Sequence, residues 1–222
     1  MFKADAIEAA PILQRALVAL LAAAPTRGRN GADLRTACGD LFENAELLIQ
    51  AGLAGEPLDH CFELARKTGM TQKQLSFVRS RVLEETPKLL GAILIKNAIV
   101  NMCLGHEGTV IADMRFANRE EVNQLKTAMN EIFNQVEEVA ADDMDQMSYR
   151  TLVELHAAII YHLTETARPL PRMLAFQFAS SRPTLAIAYR LYDDAARADE
   201  LRVENKVVHP AFMLPTGRAL SA

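Results

Sequence analysis

From Ala4 to Glu204 the apolar residues recur three and four positions apart, and over that length they show no sustained alternation. A period near 3.6 collects side chains on one face of a helix, whereas a strand needs a period of two. Half of the 222 residues are hydrophobic, only 6% are aromatic and there is no tryptophan. Such a chain packs helices through aliphatic side chains. It is long enough to bury a real core in one or two domains. The fold class read from the pattern is all-α: a multi-helix bundle of about eight helices with an irregular, partly extended C-terminal tail. Only Val207-Val208 and Phe212 to Leu214 hint at strand.

Start and stop signals divide the text. Ala4 to Ala24 predicts a first helix, with Pro11 tolerable near a start or a kink. Pro25 to Gly31 predicts a loop carrying Arg27 and Arg29. Asp33 to Leu53 predicts a second helix through Leu34, Leu41, Phe42, Ala45, Leu48 and Ile49. Pro57 opens a third, closed by Gly69. Thr71 and Gln74 have the spacing of a capping box. Thr86-Pro87 starts a helix to Leu104 that is apolar on nearly every side. It reads as the central, most buried helix, stopped by Gly105.

Asn118 predicts an N-cap, with Glu120 and Glu121 beside the positive end of a helix that runs to about Ala141. Asp142 to Asp145 reads as a connection. Ser148 caps a helix to Ala167, which Pro169 and Pro171 end. Ser181-Arg182-Pro183 opens another, and Asp193 or Asp194 caps a short last helix to Glu204. Two regions follow: an N-terminal helical region, 1–85, and a C-terminal one, 86–222, with the 105–116 connection as the other possible break. A single domain overall is compatible with the same text.

The net charge is −4. Between residues 117 and 146, Arg119 and Lys126 stand against Glu120, Glu121, Glu131, Glu137, Glu138, Asp142, Asp143 and Asp145. Proteins that grip phosphates carry a basic excess, so direct DNA binding is disfavoured. Cys38, Cys61 and Cys103 are widely spaced in apolar helical text and read as buried free thiols of a reducing compartment. The apolar run from Ala16 to Ala24 lacks the basic segment of a signal peptide. Leu89 to Leu104 is interrupted by Lys96, Asn97 and Asn101, too short and polar for a span. The expectation is a soluble chain made in the cytosol, with no membrane partner.

Chemistry-bearing residues do not assemble into a motif. His60-Cys61, Cys103 with His106, and His156 with His162 are the metal candidates, but they lack the paired spacing of a four-ligand site. Asp142, Asp143 and Asp145, like Glu84-Glu85, read as solvated carboxylates without the contrasting environments of an acid–base pair. The acidic run also lacks the glycine and distal glutamate of a calcium loop. There is no phosphate-binding glycine loop and no nucleophile elbow. No enzymatic activity, metal or cofactor is expected. The nine methionines read as core filler.

The last forty residues are the most distinctive. Short helical text ends at Asn205. His209-Pro210 forces extended backbone, and Pro215-Thr216-Gly217 has turn chemistry ahead of Leu220. The order Asp199-Glu200-Leu201, Asn205, His209-Pro210, Pro215-x-Gly217 and Leu220 resembles the C-terminal end of the phage DNA circularisation protein family. These are tail and baseplate components of Mu-like contractile phages and prophages. Upstream, Arg115 to Glu121 is similar to that family's F-x-S-R-x-D/E segment. Ser148 to Leu163 is similar to its Y-x-x-L helix, and Arg168-Pro169-Leu170-Pro171 to its R-x-L-P turn. The resemblance spans roughly residues 86–222. The family's β-rich N-terminal domain has no counterpart in 1–85, which match only in being alanine-rich and helical. More weakly, the tail set is similar to the second half of LysM-like modules of tail hub proteins.

The resemblance implies a structural protein of the tail or baseplate that links tail tube or hub to baseplate. It implies other tail and baseplate subunits as partners, self-association as a further option, and no catalysis. Its location would be the virion tail, and the host bacterial cytoplasm during assembly. The interface it points to is Arg190, Tyr192, Arg197, Asp199, Glu200, Asn205, His209, Pro210, Phe212, Leu214 and Gly217. Two other classes compete. One is an intracellular helical regulatory or ligand-binding bundle, which needs a pocket with convergent polar groups. The other is a DNA-end-binding protein, which needs a basic patch around Arg27, Arg29, Arg79, Arg81 and Lys88.

Overall fold

A computed structural model describes residues 2–25, 27–143 and 145–221. Thr26 of the expected 25–31 loop and Met144 of the expected 142–145 connection lie outside them. The protein is 72% helical, with ten α-helices and one small two-stranded sheet among the described residues. It folds as two compact units that divide between Met114 and Arg115.

The first unit holds α1 (Lys3–Ala23), α2 (Gly28–Glu43), α3 (Ala45–Ala51), α4 (Gly55–Lys67), α5 (Gln72–Leu83) and α6 (Leu90–Asp113). The central helix is α1, not α6: it packs on each of the other five. Alanines at 6, 9, 10, 16 and 19 let those helices approach closely, and Ile12, Leu13, Leu17 and Leu20 fill the space between. α1 is the one described helix long and apolar enough to cross a membrane; one side of it is core, while Ile7 and Val18 are exposed. α6 packs on α1, α4 and α5, so residues 90–113 belong with this unit rather than with the 86–222 region.

Four local expectations are revised. α2 begins at Gly28, inside the expected 25–31 loop, and the single helix expected over 33–53 is two, broken at Asn44. The Asn44 amide donates to its own helix at Asp40 O (2.8 Å), the local competition that makes asparagine a helix terminator. Gly105 does not stop α6, which runs eight residues further. Its start lies at Leu90 rather than at Thr86-Pro87, and its caps come from α1. The Glu8 carboxylate accepts Lys88 N–H (2.9 Å) and Leu89 N–H (2.8 Å), and Asp5 Oδ1 accepts Gly91 N–H (3.3 Å). Those backbone donors hold the Glu8 carboxyl below its ordinary pKa.

The capping box at Thr71 forms, and it reaches further than its own turn. Gln74 N–H donates to Thr71 Oγ1 (3.4 Å), Thr71 N–H donates to Gln74 Oε1 (2.8 Å), and Gln74 Nε2 donates to Ala23 O (2.6 Å) at the end of α1. We expect Thr71→Ala to cost about 1 kcal/mol, read as a lower urea midpoint at unchanged slope.

The second unit holds α7 (Arg119–Asp142), α8 (Gln146–Ala167), β1 (Met173–Gln177), α9 (Thr184–Tyr192), a 3-10 turn (Ala195–Arg197), α10 (Ala198–Glu204) and β2 (Thr216–Leu220). α7 and α8 form an antiparallel hairpin. Val122, Met129, Ile132, Phe133 and Val136 meet Leu152, Ile159 and Leu163 along its seam. Asn118 Oδ1 accepts Glu121 N–H (3.0 Å), as expected of an N-cap; at α8 the cap is Asp145, not Ser148. Beyond the hairpin the chain closes into a small α/β knob. β1 and β2 pair antiparallel, with Met173 opposite Leu220 and Gln177 opposite Thr216. Both strands escape the sequence signals, and residues 216–217 are strand rather than turn.

Candidate functional site

The knob contains all eleven residues to which the family resemblance points. Its core is Phe176, Ile187, Ala188, Leu201, Met213 and Ala219, edged by Phe178, Tyr192, Ala198 and Val207. The tail is therefore not loose. It returns through the module and ends as a strand inside it.

Seven of the eleven hold this fold. The Asn205 side chain acts as a substitute backbone amide on β2: Nδ2 donates to Arg218 O (2.7 Å) and Oδ1 accepts Arg218 N–H (2.7 Å). The same Nδ2 donates to Leu201 O (2.8 Å) at the end of α10. Asn205 is not the left-handed residue of that helix end, as its type suggests. Its φ is −99°, and Lys206, at φ 52°, takes the conformation instead. Val207 N–H to Arg202 O (2.9 Å) and Lys206 N–H to Val203 O (3.1 Å) close the turn there. Gly217 lies opposite Phe176 under the Asn205 amide; a Cβ on it would meet Asn205 Oδ1, and Phe176 Cζ at 2.6 Å. Pro210 O accepts both Thr184 N–H (2.7 Å) and Thr184 Oγ1–H (3.2 Å), so the His209-Pro210 loop caps the start of α9.

Tyr192, Arg197 and Glu200 form one stack. The Arg197 guanidinium lies 3.7 Å from the Tyr192 ring centroid and forks onto Glu200 at 2.7 and 3.2 Å. The Tyr192 hydroxyl is 3.5 Å from the same carboxylate. Burial, then the Glu200 charge, pushes the Tyr192 phenol above its ordinary pKa, against a smaller opposite effect of Arg197. Arg190 covers the Phe178 ring at 5.7 Å.

The other four face outward. Asp199 pairs with Arg202 (3.2 Å) at the surface. His209 is exposed, its ring 5.3 Å from that of Phe212. Phe212 and Leu214 are 75% and 71% exposed, while Met213 between them is buried and bridged to Arg182. This is strand geometry: alternate side chains point to opposite sides, so burying Met213 turns its two neighbours out.

Two of the other family-like fragments meet at the base of the hairpin. Arg119 Nε donates to Leu170 O (2.7 Å) and Arg119 Nη2 to Arg168 O (2.5 Å). Arg119 N–H bonds Pro171 O (3.0 Å). A polar cleft of about 450 Å³ lies beside them, lined by Arg119, Glu120, Thr164, Arg168 and Arg172.

The metal candidates do not come together; no group of three or more His, Cys, Asp or Glu among the described residues is arranged to hold an ion. His60 faces Glu63, and His106 bonds Asp59 (2.9 Å). His156 lies between Glu137 and Asn130, each at 2.9 Å, with its ring stacked on Phe133. Cys38, Cys61 and Cys103 are buried free thiols. The Cys38 proton is held against the Cys61 sulfur, which raises the Cys38 pKa, and burial raises that of Cys103. An open groove of about 720 Å³ between α2, α3 and α4 is lined by Asp33, Thr36, Asp40, Asn44 and His60 beside apolar residues. Thr36 and Asn44 there bond their own helix backbone at Ala32 O and Asp40 O.

No protein-family model matches this chain, and no curated protein matches it.

Proposed function

We propose that the chain is a structural component of a contractile phage or prophage tail, of the DNA circularisation protein type. In this role it links tail tube or hub to baseplate, with other tail subunits as partners and no catalytic step. Its place is the virion tail, reached from the host cytoplasm. The observation that carries the reading is the sorting of the tail motif. Asn205, Pro210, Gly217, Tyr192, Arg197 and Glu200 hold a knob together, and that knob presents Phe212 and Leu214 to solvent. Two adjacent large apolar side chains on a braced loop suit docking better than they suit solubility.

The DNA-end-binding alternative is weakened by Arg79, one of the five cations it needs. Arg79 is buried against Glu107, and Arg81 bonds Glu84 (3.1 Å). The test of the preferred reading is Phe212→Asp with Leu214→Asp. Both positions are exposed, so the melting temperature should hold. Tail assembly in a complementation assay should fall to the level of a deletion. Full complementation by a folded double variant would refute the docking role.

A further inference from the structure

α6 carries more apolar surface than its unit covers. A helix apolar on nearly every side is ordinarily enclosed on every side. The first two turns of α6 are not: Leu90 is 68% exposed, and Leu94 is exposed as well. With Leu89 and Phe2, which is 84% exposed, they line an open groove of about 740 Å³ whose buried lining includes Ile49, Ala54 and Gly91. Leu53, also exposed, sits between the lining residues Gly52 and Ala54. These five side chains show on the order of 500 Å² of apolar surface, toward the upper end of the largest patch on an ordinary monomer. Among the described lining residues only Asp5 is ionisable, and its carboxylate already accepts Gly91 N–H. The groove thus lacks the convergent polar groups of a small-molecule site.

We propose that this groove is a homotypic interface, in which a second copy of the chain lays Phe2 and the first turns of α6 against it. Three features fit a second copy. Phe2 is a largely exposed ring at the lining of the groove that a partner's own Phe2 would enter, and two-fold pairing requires such a self-complementary face. Two such faces remove on the order of 1,000 Å² from water, the size at which an interface becomes specific. The flanks carry both signs. Exposed Lys88 precedes Leu89 on the α6 side and exposed Glu56 follows Gly55 on the α4 side, so a two-fold axis that sets one side against the other pairs opposite charges. The surface lies wholly within the first unit, and its pairing does not depend on the role of the knob.

The test is sedimentation velocity on the full chain across micromolar concentrations. A reversible dimer is expected. Leu90→Glu, at an exposed position, should keep the melting temperature and weaken the dimer roughly thirtyfold or more. Lys88→Glu should weaken it less, and Lys88→Glu combined with Glu56→Lys should restore it. A chain that stays monomeric throughout overturns the proposal. So does a dimer unchanged by Leu90→Glu and by Leu94→Glu, which would place the contact elsewhere. A monomer whose groove instead takes up a foreign amphipathic peptide or the dye ANS overturns it equally.

Discussion

Glu107→Ala will lower the free energy of unfolding by about 3–5 kcal/mol, the cost of leaving one partner of a buried ion pair alone. Glu107 is fully buried in α6 and Arg79 nearly so in α5. Arg79 Nε donates to Glu107 Oε1 at 2.6 Å, and Gln72 Nε2 donates to Oε2 at 3.1 Å. Ser76 Oγ takes a further Arg79 hydrogen at 3.0 Å. Removing the carboxylate strands a guanidinium inside the first unit and orphans Gln72 as well. A urea titration reads the loss as a shifted midpoint. The control is Arg79→Met with Glu107→Leu, which removes both charges and should recover much of the stability. A loss below about 1 kcal/mol in Glu107→Ala would mean that water reaches Arg79 and the pair is not sealed.

This pair shows why part of the molecule is hidden in the text. Gly105-His106-Glu107-Gly108 reads as a stop and a turn, because glycine in a helix interior costs about 1 kcal/mol. Packing against α1 and α5 outweighs that cost, the helix runs on to Asp113, and a glutamate that reads as surface becomes core. The capping box at Thr71 and the N-cap at Asn118 are legible because they are closed within four residues. The caps of α6 are not, because Asp5 and Glu8 lie eighty or more residues upstream of the amides they satisfy. The strands are missed for a related reason. In Met173–Gln177 only Phe176 is buried, and in Thr216–Leu220 the two buried residues, Ala219 and Leu220, are adjacent. Neither segment carries the alternation that marks a half-buried strand. Asn205 was legible as a break in the helix; its second use, as an amide on β2, depends on a partner thirteen residues away.

Two glycine-to-alanine substitutions should move stability in opposite directions. At Gly105 an added Cβ meets nothing within 4 Å, and the residue lies in a helix interior. There alanine removes the backbone entropy cost of glycine, and a gain of roughly 0.5–1 kcal/mol is expected. At Gly217 the methyl runs into the Asn205 amide and the edge of the Phe176 ring. Neither can retreat freely. Asn205 is held by Leu201 O and by both backbone groups of Arg218, and Phe176 belongs to the knob core. Overpacking of this kind costs about 1–3 kcal/mol, and it falls on a module with a small core of its own. The expected result is therefore local. By hydrogen exchange in Gly217→Ala, amides of β1, β2 and α10 should lose protection while those of α7 and α8 keep theirs. Assembly should fail with them, because the loop that presents Phe212 and Leu214 is braced by β2. If Gly217→Ala instead leaves knob protection unchanged, the close approach of Asn205 and Phe176 has room to relax, and the glycine there is a matter of composition rather than of packing.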